Sequence, residues 1–454
     1  MDTTHDTIVA ISTPIGVGAI GIVRLSGPKV LDIVSKIFKG GNSNKPNQIQ
    51  LGWIYNGKNP VDQVLLLQFR SPYSYTGEDM AEIHCHGAPV ILQTIVELCV
   101  GTGARRAEAG EFTKRAFLAG KIDLTQAEAV GELIHAESEQ QARVASRQLA
   151  GGLSKELSSI KQQLVSLAAA ETASLDFSEE DIADMSDQQY LDKLKQIHQA
   201  IDRLLQQQQF LPIVQHGITV AIVGLPNAGK STLLNTILGY ERSIVTEISG
   251  TTRDTITEAV SYNGIQLHFT DTAGLRSTED RVESIGVERT KQALQTSDVV
   301  LILVEPGQEE KTIEYLQSQN LLDSIRPTNT IVVYSKSDKS KPKSANSQLS
   351  KYQNVEVSAK AKSGIDDLLQ AIYALVIDQP SQLDISVITE RQFSVLKNLA
   401  KLLSDVESGL ERHDPRDVIL VTLQDCVEAI TELDGSSASE AIITEIFRNF
   451  CIGK

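Results

Sequence analysis

Apolar and polar residues alternate along this chain with a period that changes three times. Up to about residue 120 the apolar residues come in short runs. Thr7-Ile8-Val9-Ala10-Ile11 and Ile20-Gly21-Ile22-Val23-Arg24-Leu25 flank the turn-rich Pro14-Ile15-Gly16-Val17-Gly18, which predicts two strands and a connector. Val61 to Phe69 and Ala81 to Cys85 predict further strands, and Pro89 to Val100 carries a helical period. From Leu124 the period lengthens. Leu149, Leu153, Leu157, Ile160, Leu164 and Leu167 recur at steps of three and four, one stripe of a long helix. Thr125-Gln126-Ala127-Glu128 has the form of a capping box, and Ser186-Asp187-Gln188-Gln189 opens a second helix carrying Leu191, Leu194, Ile201 and Leu205. The acidic turn Ser178 to Asp181 between them is expected to face solvent. This pattern stops near His216 and returns after Pro380 with Leu396, Leu399, Leu403, Val406 and Leu410; Asp414-Pro415 breaks it, and Ser437-Ala438-Ser439-Glu440 caps a last helix ending near Phe450.

Between these helical blocks the chain turns α/β. Ile218 to Val223 reads as a buried strand, and Gly224-Leu225-Pro226-Asn227-Ala228-Gly229-Lys230-Ser231 follows, fitting G-x-x-x-x-G-K-[ST]; Ser231-Thr232-Leu233-Leu234 then begins a helix. Backbone N–H groups and the helix dipole surround an anion there, Lys230 adds a point charge, and the Ser231 hydroxyl suits magnesium. Asp271-Thr272-Ala273-Gly274 follows a strand, where a carboxylate holds magnesium through water and the Gly274 N–H reaches a terminal phosphate. Thr246 to Thr252, with Glu247, Ser249 and Gly250, forms a polar loop of the kind that orders around a γ-phosphate. After the strand Ile331 to Tyr334 comes Ser335-Lys336-Ser337-Asp338, whose aspartate accepts the two N–H donors of a guanine edge, and Ser358-Ala359-Lys360 offers a backbone donor to the guanine carbonyl. Together these motifs resemble the translation-factor-like GTPases, so the nucleotide is GTP. Ser335 stands where that class carries Asn, which ties the base loop to the phosphate loop; a shorter side chain is expected to weaken nucleotide binding. Leu275 occupies the place of the water-orienting glutamine of Ras-like proteins, and Arg253 and Arg276 are open as fingers in cis or as solvated loop residues.

Length and charge narrow the picture further. A chain of 454 residues implies about three domains. Its net charge of −16 excludes wholesale coating of nucleic acid, although residues 1–120 are nearly balanced, with 11 Lys+Arg against 10 Asp+Glu. Four cysteines without a C-x-x-C pair indicate neither a disulfide framework nor a zinc ribbon, and the absence of a basic leader or an 18-residue apolar run predicts a cytoplasmic protein with no membrane partner. His84-Cys85-His86 invites a metal, but no distant ligands support it, so strand packing is expected. Arg105, Arg106, Lys114, Arg115 and Lys121 form a basic cluster, read as a solvated surface or an anion contact.

The whole chain resembles the MnmE (TrmE) family of tRNA-modification GTPases. Thr76-Gly77-Glu78-Asp79, Gly250-Thr251-Thr252-Arg253-Asp254 with Asp271-Thr272-Ala273-Gly274-Leu275-Arg276, and the terminal Cys451-Ile452-Gly453-Lys454 carry the likeness. It implies a multi-domain α/β plus all-α fold. An α+β folate-binding and dimerisation domain similar to aminomethyltransferases (1–120) precedes a helical domain (121–216 and 380–454), into which a P-loop GTPase domain (217–379) is inserted. It also implies potassium on Asn227 and backbone oxygens of Thr246, Ile248 and Thr251, magnesium on Ser231 and Thr252, and Glu283 positioning the attacking water. A tetrahydrofolate derivative, 5-formyl- or methylenetetrahydrofolate, is placed against Arg24, Glu82, Lys121 and Lys454. Arg and Lys suit folate carboxylates, and a carboxylate suits the pterin N–H edge. Cys451 is a reactive-thiol candidate or simply a small apolar residue near a helix end. The implied partners are a second copy of the chain, tRNA, and a flavin (FAD)-containing MnmG-like subunit forming a heterotetramer. With that subunit the family adds a carboxymethylaminomethyl or aminomethyl group to wobble uridine. A ribosome-assembly GTPase shares the nucleotide motifs, but the folate-like N-terminal part and the Cys-x-Gly-Lys ending speak against it. A membrane-remodelling GTPase is disfavoured by the acidic charge and the lack of a basic amphipathic segment.

Overall fold

The structure, a computed structural model, describes residues 6–40, 48–176, 186–240, 257–271, 283–340, 348–378, 383, 385–387, 389–448 and 450–454. The acidic turn at 178–181, Thr246 to Thr252, Arg253, Thr272, Ala273, Gly274 and Arg276 lie outside the described residues. The chain divides into two compact units. One comprises Met1–His135, Ala145–Leu205 and Ile388–Lys454; the other comprises Ala136–Val144 and Gln206–Val387.

In the first unit, β1 (Ile8–Ile11), β2 (Gly18–Ser26), β3 (Phe38–Gly40), β4 (Gln50–Asn56), β5 (Asn59–Phe69), β6 (Met80–Gly87) and β7 (Arg105–Arg106) form one sheet ordered β3-β4-β5-β6-β2-β1-β7. Its pairings are antiparallel except β1 with β7. Alternation sorts the side chains by face. Ile54, Val64, Leu66, Ile83, Val23 and Leu25 bury against the helices Val30–Ile37 and Pro89–Gly101, while Leu51, Trp53 and Leu65 point outward. His84 and His86 are occupied as strand residues: His84 Nε2 lies 3.3 Å from Glu82 Oε2 and His86 Nδ1 2.7 Å from Asp62 Oδ1. Among the described residues no group of three or more His, Cys, Asp or Glu side chains gathers around a metal-sized space.

Within the basic cluster Arg105 and Arg115 are paired inside the protein, while Arg106 is exposed and Lys121 lines a cavity. Arg115 is buried and bonds Asp6 Oδ1 at 2.6 Å, Glu111 Oε1 at 2.9 Å and Glu78 Oε1 at 3.1 Å; Arg105 bonds Asp6 and Glu111, each at 2.7 Å. Glu111 is a local partner, one helical turn before Arg115, whereas Asp6 lies about a hundred residues away and no local pattern foretells it. Burial alone raises the Asp6 and Glu111 carboxyls, but the arginine hydrogen bonds outweigh it and hold both below their ordinary values. A carboxyl depressed in the folded state contributes stability above its unfolded value, about pH 4, which is lost as pH falls through the folded value. The melting temperature of the native chain should therefore exceed that of Asp6→Asn fully at pH 7 and progressively less below about pH 4. A constant difference down to about pH 2 would remove the network from the acid response.

The helical part departs from the sequence reading in three places. The capping box of helix Leu124–Ile134 is built by Asp123 and Gln126, not by Thr125 and Glu128. The Asp123 carboxylate accepts the Gln126 N–H at 2.9 Å, and Gln126 Oε1 accepts the Asp123 N–H at 3.0 Å. Leu149 closes the preceding helix, Glu139–Leu149, and the long helix runs Gly152–Asp176. The helix Asp187–Gln206 buries Tyr190, Leu194, Ile197, Ile201 and Leu204, so Leu191 and Leu205 lie beside the stripe and the amphipathic Tyr190 heads it, donating its hydroxyl to the Leu167 carbonyl at 2.9 Å. The stripe Leu396, Leu399, Leu403, Val406 and Leu410 is buried along helix Glu390–Glu411. Glu128 is buried there and held by Arg391 in a bidentate fork of 2.7 and 3.0 Å, with Gln392 Nε2 at 2.6 Å.

In the second unit, β8 (Ile218–Gly224), β9 (Thr257–Tyr262), β10 (Ile265–Asp271), β11 (Val299–Val304), β12 (Thr330–Tyr334) and β13 (Gln353–Glu356) form a sheet ordered β13-β12-β11-β8-β10-β9. All neighbours are parallel except β9 with β10. β8, β11 and β12 are apolar along almost their whole length because both faces are covered. The chain passes to one side of β8 for β9 and β10 and to the other for β11, β12 and β13. The carboxyl ends around β8 therefore meet at a topological switch point, where open parallel sheets bind ligands.

Candidate functional sites

At the switch point β8 ends on Gly224, whose φ is +155°. A Cβ there would lie 2.4 Å from the Leu303 carbonyl oxygen on β11, so glycine alone lets the loop leave the sheet. Asn227 sits in the left-handed region at φ +65°, which Asn tolerates better than most residues. Lys230 folds over the loop and donates to the Gly224 and Leu225 carbonyls at 2.9 and 3.0 Å. The helix Lys230–Tyr240 starts at once, with Gly229 N–H, Ser231 and Thr232 at its positive end. Asp271 is aligned with Ile222, which brings the end of β10 beside the phosphate loop. Glu283 opens the helix Glu283–Thr296; neither its side chain nor that of Asp271 is among the described ones.

The base loop is tied to the phosphate loop after all. Ser335 is buried, its Oγ donates to the Ala228 carbonyl at 3.1 Å, and its N–H donates to the Val304 carbonyl at 2.9 Å. Serine thus supplies a tie between the two loops through the Ala228 carbonyl. Such a bond contributes about 1 kcal/mol. Lys336, at φ +56°, pairs with Glu305 Oε2 at 2.5 Å, and Ser337 N–H donates to the Val357 carbonyl at 3.2 Å. The exposed Asp338 accepts the Ser358 hydroxyl at 2.6 Å, which holds its carboxyl below the usual range. Ser358 Oγ in turn accepts the Ala361 N–H at 3.2 Å, so the loop carrying Ala359 and Lys360 is anchored to the same aspartate. A carboxylate acceptor at this place matches a base edge presenting two adjacent donors. Glu305 escaped the sequence reading, since nothing marks a lone acid after a strand.

A second site lies in the first unit. A cavity of about 330 Å³ is lined by Phe69, Tyr73, Ser74, Tyr75, Met80, Glu82 and Lys121. Arg24 on β2 stands opposite Glu82 on β6, with Nε and Nη2 both 2.9 Å from Oε1. Its guanidinium carbon is 5.7 Å from the centroids of Tyr75 and Phe112, and Nη1 donates to the Gly453 carbonyl at 3.3 Å. All three guanidinium nitrogens are thus engaged by the protein, unlike an arginine kept for a ligand carboxylate. Burial and the Arg24 charge push the Lys454 ammonium below its usual range, with Glu82 pulling the other way. Cys451 is exposed and does not line the cavity. Gly453 has φ +98°, and a Cβ on it would lie 2.3 Å from the Ile11 carbonyl oxygen, so the ending requires glycine there. Glu82 and Lys121 therefore meet in one cavity, with Arg24 and Lys454 against it, drawn from both ends of the chain. Tyr75, Phe112 and Ser12 belong to the same constellation and carry no sequence signal of their own. No described helix is long and apolar enough to cross a membrane.

Known proteins match the chain throughout. The family model for the GTP-binding protein TrmE N-terminus covers residues 7–121, and that for the MnmE helical domain covers 124–451. The tRNA modification GTPase MnmE of Lactobacillus gasseri is 39% identical over 460 residues, spanning 100% of this chain and 99% of that protein. The proteins of the same name from Bacteroides thetaiotaomicron and Aquifex aeolicus are 39% and 40% identical, each over 99% of this chain and 100% of theirs. A phosphate loop and base loop at one switch point, and a cavity holding Glu82 and Lys121 whose neighbour Arg24 bonds the Cys-x-Gly-Lys ending, thus sit in a chain that belongs to the MnmE (TrmE) family of tRNA modification GTPases.

Proposed function

We propose that this GTP hydrolase is stimulated by potassium and that, with a flavin-containing MnmG-like partner, it adds a carboxymethylaminomethyl or aminomethyl group to C5 of the wobble uridine of certain tRNAs. The carbon comes from a tetrahydrofolate one-carbon unit. Residues 1–120 bind the folate and pair two copies of the chain, 121–216 and 380–454 form the helical domain, 217–379 hydrolyse GTP, and the assembly works in the cytoplasm. The observation that carries the one-carbon part is the cavity against which Arg24, Glu82, Lys121 and Lys454 converge. Its volume falls at the lower end of the range for small-molecule sites, and its aromatic wall with few polar groups suits a flat ring system.

The residues divide the labour by their chemistry. Asp338 selects guanine, and Lys230 with the start of its helix holds the phosphates. Glu283 orients the attacking water. Ser231 and Thr252 would hold magnesium, which screens phosphate charge; Asn227 with the backbone of Thr246, Ile248 and Thr251 would hold potassium, which supplies positive charge beside the cleaved bond. The exposed carboxamide of Asn227, held in a left-handed turn above the loop, fits such an ion. In the cavity Glu82 accepts N–H groups of a pterin edge, Lys121 and Lys454 face carboxylates, and Arg24 orients Glu82. Removing Lys454 should weaken binding of 5-formyltetrahydrofolate about tenfold to hundredfold by calorimetry, the loss of one charge-assisted contact. An unaltered affinity would refute the one-carbon reading of the cavity.

A further inference from the structure

The C-terminal tail that carries Lys454 is held at several points. Ile452 forms one antiparallel bridge with Ala109, and the Cys451 carbonyl accepts the Gly110 N–H at 3.4 Å. The Gly453 carbonyl accepts two donors at once, Ser12 Oγ at 3.1 Å and Arg24 Nη1 at 3.3 Å. Steric contact with Ile11 requires glycine at 453, yet glycine is the residue least able to hold one conformation unaided. A carbonyl gripped from two sides cannot swing, and its orientation determines where the next residue begins. Ser12 is itself fixed, its N–H donating to the Ile22 carbonyl at 2.8 Å across the β1–β2 pair.

We infer that Ser12 is a positioning residue of the one-carbon site: together with Arg24 it clamps the Gly453 carbonyl and so sets where Lys454 stands relative to Glu82. The inference rests on the one-carbon reading of the cavity. Arg24 then has two tasks, one toward Glu82 and one toward the tail, whereas the Ser12 hydroxyl bonds the tail and not Glu82. Substituting Ser12 isolates the clamp and leaves the Arg24–Glu82 pair in place.

The test is amide hydrogen exchange in the peptide covering residues 449–454, combined with calorimetric binding of 5-formyltetrahydrofolate, on the full chain and on Ser12→Ala and Ser12→Thr. Ser12→Ala should speed exchange of that peptide about fivefold and weaken folate binding by a similar factor, the effect of one lost hydrogen bond. Ser12→Thr, which keeps the hydroxyl, should restore both. Weaker binding with unchanged tail exchange would mean that Ser12 acts otherwise, and faster exchange with unchanged affinity would mean that the tail does not complete the site; either overturns the inference. If the unsubstituted chain bound no folate, the one-carbon reading would fall and the positioning role with it, while the exchange difference would still measure the clamp.

Discussion

GTP turnover is expected to fall by roughly 10³-fold when sodium replaces potassium at matched ionic strength, the lower end of what an arginine finger contributes. Asn227→Ala should be equally slow in both salts while still binding GTP. Alanine introduces a second effect, however. Asn227 has φ +65°, and the left-handed region costs a side chain without a local polar group about 1–2 kcal/mol. Asn227→Gly removes the carboxamide without that strain, so it separates the ligand from the backbone. Both variants should ignore potassium. A glycine variant that still responds to the ion would take the metal role away from Asn227.

Asp338→Asn is expected to weaken GTP about 10²-fold or more, because the acceptor loses its charge and one of its two oxygens becomes an amide N–H that faces a guanine donor. Xanthosine triphosphate carries a carbonyl where guanine carries its amino group, so an amide accepts from its N1–H and donates to that carbonyl. The variant should therefore bind it at least as well as it binds GTP. The fold should survive, since the Ser358 hydroxyl keeps a partner in the amide oxygen and its contact with Ala361 is untouched. Turnover of xanthosine triphosphate by this variant should remain dependent on potassium, as the base loop and Asn227 act on opposite ends of the nucleotide. GTP affinity within about threefold of the native chain would dismiss Asp338 as the base-selecting group.

The two sites were legible to different degrees. The phosphate loop is contiguous in sequence, and its chemistry resides in its own backbone, so Gly224 to Ser231 announces it. The tie from Ser335 was not legible, because it is made to a loop more than a hundred residues away. The arginine cluster was misjudged for the same reason: Asp6 reaches Arg105 and Arg115 only across the folded sheet. In the capping box, two adjacent candidates, Asp123 and Thr125, compete, and which one caps depends on where the helix is first packed.

What the residues alone determined is whatever repeats locally. Strand alternation, the leucine stripes, the nucleotide loop and the base-loop motif ending in Asp338 depend on periods and spacings of a few residues, and hydrophobic burial makes those periods reliable. What tertiary structure decided is every group whose partner is distant. The engagement of Arg24 by Glu82 and Gly453, the neutralised arginines, the buried Glu128–Arg391 fork and the bond from Ser12 to the Gly453 carbonyl all arise from closure of the sheet and helices around them. A charge in water has no preferred partner. Only packing removes the water and leaves each charge the few groups within reach.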